Sequence, residues 1–313
     1  MAHLIESMAY ANTTPWHGLG NQLSAKSSLS VWAKQAGMDW NIQESRVYFQ
    51  PGENADHCAF DDQKVLYRSD TGAALSVVSQ RFQVVQPRDV LEFYRDLTKA
   101  HGFTLETAGV LKGGRKVWAL AKTNMSANIK GNDKMNGYLL LATGCDRTLA
   151  TTAQFTSIRV VCNNTLAIAL KDGRAAVKVP HSTTFDPKAI KRQLGLSSSS
   201  WDDFVYQMKK LSERKLKHAE SDAFITQLFA NPQEKFTNER AMKKVRELYA
   251  GHGRGAELSS TKNTAFGLLN AVTEFVDHER RARSTDYRLD SAWFGTGANL
   301  KNDALAQAIA LVS

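Results

Sequence analysis

The stretch FTLETAGVLKGGRKVWALAKT, residues 103–123, decides which fold to expect. Two apolar and β-branched runs meet at Gly113-Gly114, and paired glycines supply the positive φ that a tight turn between antiparallel strands needs. Downstream, NGYLLLATGCD (136–146) and RTLATTAQFTSIRVVC (147–162) form a second such pair around GCDR. Two consecutive hairpins predict an antiparallel sheet. Just upstream, PRDVLEFYRDLTKAHGF (87–103) places Val90, Leu91, Tyr94 and Leu97 at helical spacing, opened by Pro87 and stopped by Gly102.

Working outward, NIQESRVYFQ (41–50), KVLYRSD (64–70) and AALSVVSQRFQVVQ (73–86) have the alternation and β-branched content of strands. SVWAKQAGMDW (30–40) reads as a short helix capped by Ser30, in an otherwise irregular segment 1–60. VKVPHSTTFDPKAIKRQLGL (177–196) passes from strand to helix at Asp186-Pro187. SSSS (197–200) is a joint in which Ser200 caps the next helix, and the rest is mainly helical. The expected architecture is α+β: an antiparallel sheet with hairpins and packed helices, then a mainly helical C-terminal region. The segments are 1–60 (irregular, with a short helix), 61–195 (a basic α+β core) and 201–313 (helical).

FTSIRVVCNNTLAIAL (155–170) sets a guanidinium, a thiol and two amides inside an apolar run. Strand alternation puts Ile158, Val160 and Cys162 on one face, toward a core, and Ser157, Arg159 and Val161 on the other. There Arg159 forks either to a phosphate or to a carboxylate of the protein itself. Asn163 or Asn164 caps a helix expected over 163–170.

Composition bounds the function. The net charge of +9 is concentrated in residues 101–195, with 14 Lys and Arg against 5 Asp and Glu; residues 1–100 hold 9 against 11, and 196–313 hold 17 against 15. A local basic excess is the footprint of a polyanion partner. No run approaches the ~20 apolar residues that span a bilayer. The first residues lack the basic and apolar regions of a secretory signal. Cys58, Cys145 and Cys162 are odd in number and widely spaced, which fits reduced thiols in a cytoplasmic protein.

Catalytic signatures are weak. GHGRG (251–255) lacks the Lys-Ser/Thr of a phosphate-binding loop and reads as a flexible connection. The cysteines and His181 lack chelating spacing, so no metal or cofactor is expected. There is no GxSxG nucleophile elbow, and the basic segment has too few acids for a two-metal site. A dispersed enzyme site would involve Cys162 and His181 first. What remains is binding chemistry: Lys112, Arg115 and Lys116 at the hairpin tip, Lys130 and Lys134 in the next loop, with Arg147, Arg159, Lys171 and Arg174. Trp118, Tyr138 and Phe155 lie near them as stacking candidates.

PWHGLG, SQRFQVVQPRDVLEF, AGVLKGGRKVWALAK, RVVCNNTLAIAL, PHSTTFD, FGLLNAVTEFVDHERR and RLDSAWFGTGANLKNDAL occur in that order along the chain. Together they resemble a phage/plasmid-like family of unknown function, carried by phages, plasmids and integrative elements. The GCDRT turn stands where such relatives have an acidic-glycine turn. The broad layout is also similar to the Rad-fifty-two-like and RecT-like single-strand annealing proteins. That likeness implies oligomeric rings and a basic groove for single-stranded DNA. The expected function is therefore non-enzymatic binding of single-stranded DNA, with annealing or recombination promoted by a homo-oligomer, a partner exonuclease as an optional companion, and no membrane. The alternative is an interaction factor, anti-defence or regulatory, acting on a host protein.

Overall fold

The computed structural model describes residues 8–11, 20–24, 27–53, 55–161, 164–169, 176–194, 198–230 and 238–313. The chain forms two compact units. The first comprises Met1–Asn124, Leu139–Gln154 and Ala176–Leu196; the second comprises Met125–Tyr138, Phe155–Ala175 and Ser197–Ser313.

In the first unit, β1 (Met8–Ala11) pairs parallel with β2 (Asn21–Leu23) and antiparallel with β6 (Thr104–Leu111). β6 pairs antiparallel with β7 (Lys116–Asn128), Gly109 facing Trp118. The sheet continues through β8 (Lys134–Gly144) and β9 (Thr151–Arg159), and β11 (Val177–Val179) lies on the start of β9. A second sheet joins β3 (Ile42–Phe49), β4 (Cys58–Arg68) and β5 (Ala74–Ser79). The glycine turn predicted at 113–114 is present, with φ of 67° and 104°; a side chain at Gly114 would also press on Trp40.

Helix α2 (Pro87–His101) begins at Pro87 and ends at Gly102 in the left-handed region. Val90, Leu91, Phe93, Tyr94 and Leu97 on it are all at most 1% exposed. Each such side chain contributes about 1.5–3 kcal/mol by leaving water. The Tyr94 hydroxyl reaches the carbonyl oxygens of Ala119 and Leu139 at 2.8 and 3.0 Å, which seats the helix on the sheet. Burial holds that phenol well above its ordinary pKa. Helix α1 (Leu29–Gln35) is capped by Ser28, whose hydroxyl accepts from Val31 N, rather than by Ser30. The N-terminal segment adds two strands to the sheet; MAYA is too short to show alternation, yet Met8, Ala9 and Ala11 are buried. Asp186 caps α3 (Pro187–Leu194) as its spacing predicts, accepting from Lys188 N and Ala189 N.

The second unit holds the remaining stretches of β7, β8 and β9 and the C-terminal helices: α4 (Ser198–Glu213), α5 (His218–Phe229), α6 (Glu239–Glu247), α7 (Ala265–Glu274), α8 (Thr285–Phe294) and α9 (Thr296–Ala310). Every residue of α7 is buried, which makes it the axis of the unit. Residues 165–167 are not helical but form β10 (Thr165–Ala167), antiparallel to β9. Asn164, one of the two amides expected to cap a helix there, has another partner. Asn164 Nδ2 donates to the Asn270 carbonyl at 3.1 Å, and Thr165 N donates to Asp277 at 2.8 Å. Asn163 lies outside the described residues. Ser200 lies inside α4 rather than at its cap. The α+β class and the helical C-terminal region are as the sequence predicts. Among the described residues, no helix is long and apolar enough to cross a membrane.

Candidate nucleic-acid interface

In the first unit the hairpin tip and the β8–β9 turn are joined, because Cys145 N donates to the Arg115 carbonyl at 2.9 Å. Arg115 and Arg147 are both exposed there. The β8–β9 turn is well built: Asp146 Oδ1 accepts from Thr148 N and from its hydroxyl, and Arg147 takes a φ of 65°. Lys112 is half-buried and Lys116 is 4% exposed, so the tip offers fewer cations than its sequence suggests. Cys145, beneath it, is buried, and burial raises its thiol pKa to about 12.

In the second unit the turn between β7 and β8 displays Lys130 and Lys134, both exposed. Its backbone closes through Ile129 N to Asp133 O at 2.9 Å and Asp133 N to Lys130 O at 3.2 Å, with Gly131 at φ 58°. The Asp133 side chain points inward and is 1% exposed. Arg159 meets it in a fork, Nε to Oδ1 and Nη2 to Oδ2, both at 2.7 Å. Ser260 donates to the same carboxylate at 2.5 Å.

Arg159 therefore does not reach a phosphate, which corrects that half of the sequence reading. It is 1% exposed, and its strand is buried on both faces up to this residue, whereas Val160 and Val161 emerge. The glycine loop 251–255 packs around it rather than connecting loosely. The Gly255 and Arg254 carbonyls accept from its terminal nitrogens at 3.2 and 3.4 Å. A Cβ at Gly255, where φ is +67°, would come within 2.8 Å of Val161. The Arg254 backbone N–H donates in turn to Glu274 at 2.9 Å, and burial raises the pKa of that carboxyl.

A second buried ion pair lies in the same unit. Lys301 Nζ donates to Asp277 at 2.8 Å and to the Thr165 hydroxyl at 2.6 Å, with both charged side chains at most 6% exposed. Removing one partner of such a buried pair leaves an uncompensated charge and is costly.

Of the nine candidate cations, Arg115, Lys130, Lys134 and Arg147 are thus presented to solvent, while Lys112 is partly so and Lys116 and Arg159 are buried. Lys171 and Arg174 lie outside the described residues, as does Cys162. The three stacking candidates are core residues: Trp118 is 0% exposed, and Tyr138 and Phe155 are 5% exposed. Sequence reading missed Asp133 and Ser260, the anchors of the basic turn. The signal for Asp133 was its isolation as an acid between Lys130 and Lys134; for Ser260, 127 residues away, none was visible.

The family model described as a domain of unknown function, DUF932, matches residues 74–293, and the chain belongs to that family. No curated protein and no solved structure matches the chain.

Proposed function

We propose that this DUF932 protein binds single-stranded DNA without catalysing a reaction, and that as a cytoplasmic homo-oligomer of a mobile element it promotes the annealing of complementary strands. The observation that carries the reading is the anchored basic turn. Lys130 and Lys134 stand exposed on a backbone fixed from beneath by the Asp133–Arg159 fork. A rigid mount lowers the entropy lost when a lysine meets a phosphate. Arg115 and Arg147 form a second exposed pair in the first unit. With Trp118, Tyr138 and Phe155 in the core, recognition rests on phosphates rather than stacking, which implies steep salt dependence and little sequence preference. The test is a titration of fluorescent single- and double-stranded oligonucleotides over a salt series, followed by an annealing assay. Failure to bind at low salt would end this reading.

One feature favours the alternative, a protein partner. The outer part of the β3–β4 ribbon exposes Tyr48, Phe49 and Phe60 beside the acids Asp61 and Asp62. Exposed aromatic side chains suit a protein surface, and neighbouring acids repel phosphate. A Phe49→Ser/Phe60→Ser variant that keeps DNA binding but loses biological activity would support the partner.

A further inference from the structure

Within the second unit, a cleft of about 560 Å³ opens between one face of α6 and the end of α7. That volume lies in the range of small-molecule sites. Arg240, Lys243 and Lys244 line it from α6, at the i, i+3 and i+4 spacing that gathers side chains on one helix face. Met242 and Val245 are buried instead. Arg280 and Arg281 line it from the other side. They follow a π-turn, Phe275–Glu279, in which Arg280 N donates to Phe275 O at 2.7 Å. Such wide turns recur at functional sites.

The charges do not cancel. Among the described residues two acids line the cleft, Glu247 and Glu279, and Glu279 pairs with Lys244 at 3.3 Å. Among the described residues, five cations against two carboxylates leave an excess of three positive charges. Arg280 differs from the others: its Nη1 is shielded from solvent and, among the described residues, has no hydrogen-bond partner. Burial alone moves its pKa, downward from the ordinary value. A guanidinium nitrogen taken from water without a partner is costly, unlike the fully engaged fork of Arg159 in the same unit.

We infer that this cleft binds a small-molecule di- or triphosphate. The charge excess matches three or so phosphate charges, the planar guanidinium groups suit bidentate contact with phosphate oxygens, and the volume of the cleft fits a nucleotide-sized ligand. None of these residues belongs to the basic turn or the hairpin tip, so the site is independent of DNA binding by Lys130 and Lys134.

The experiment is calorimetric titration of the full chain with tripolyphosphate, and with ATP in parallel. One-to-one binding of tripolyphosphate is expected. Arg280→Met should weaken it by about tenfold or more, the loss expected for a charge-assisted contact. Lys243→Gln/Arg281→Gln, at exposed positions that leave the core untouched, should also weaken it and stands as the check if Arg280→Met does not fold. Lys130→Gln/Lys134→Gln should bind tripolyphosphate like wild type. Absence of binding by the wild-type chain, or equal affinity in the cleft variants, would overturn the inference. So would loss of oligonucleotide binding in those variants with competition between oligonucleotide and tripolyphosphate, which would assign the cleft to the polymer.

Discussion

Arg159 and Arg280 are both drawn out of water in the second unit, but their surroundings differ. Arg159 is matched by the Asp133 carboxylate and two carbonyl oxygens, and holds up a turn from below. Arg280 has a shielded nitrogen that no described residue accepts from, and its side chain lines a cleft rich in cations. A cation in the sequence is thus a partner for an outside anion only where the fold has not already paired it. The sequence leaves Arg159 open between a phosphate and a carboxylate, and gives Arg280 no role. Arg159, in the segment of greatest basic excess, is engaged internally, whereas Arg280 lies where the overall charge nearly cancels.

The comparison breaks most readily at the Arg159 fork. Asp133→Ala leaves a buried guanidinium without its counter-ion and should cost about 3–5 kcal/mol in denaturant unfolding. Arg159→Met/Asp133→Leu should recover much of that loss, because the pair is removed together. Equal and additive losses would mean the two side chains are not coupled. Lys301→Met should cost less, about 1.5–3 kcal/mol, since Asp277 keeps the Thr165 N–H and hydroxyl as donors.

Glu274 gives a pH-dependent contrast. Burial raises its folded pKa above the ordinary 4.5, so the folded chain holds this proton more tightly than the unfolded one. Its contribution to stability is full below about pH 4.5 and falls as pH rises through the folded value. Asp70 and Glu220, which hydrogen bonds from Arg68 and from the Lys217 backbone hold low, act in the opposite sense. The observable is therefore the difference between wild type and Glu274→Gln: the variant should gain on wild type across that window, measured by thermal melts. A constant difference would contradict the assignment. A smaller effect concerns Cys145. With its thiol raised to about 12, its thiolate is scarce near neutral pH. In a Cys58→Ser/Cys162→Ser background it should react with a disulfide reagent far more slowly than the exposed Cys58 does in a Cys145→Ser/Cys162→Ser background. Comparable rates would place it at the surface.

Much of the fold is legible in local chemistry. Pro87 and Gly102 bound α2, Gly113-Gly114 turn the hairpin, and Asp186 caps α3, because each acts on backbone within a few residues. Residues 163–170 defeat the same reasoning. Asn164 resembles a cap, but its side chain bonds to Asn270 and the neighbouring Thr165 N–H to Asp277, over a hundred residues away. The candidate site divides in the same way. Exposure of Lys130 and Lys134 follows from a polar loop between strands, whereas burial of Lys116 and Arg159 depends on what packs over them. The cleft was hidden by averaging: α6 sorts Arg240, Lys243 and Lys244 onto one face, while acids elsewhere in residues 196–313 bring the balance near zero.

Binding of single strands by the anchored turn, through their phosphates, is the central claim. The most direct measurement is fluorescence anisotropy of a labelled single-stranded oligonucleotide against salt, for wild type and Lys130→Gln/Lys134→Gln. Tight binding at low salt and a linear fall of log affinity with log salt are expected. The double variant should shallow that slope by about 1.4, at ~0.7 for each single-strand phosphate that a lysine no longer neutralises. No binding by wild type at low salt, or identical slopes for the two proteins, would contradict it.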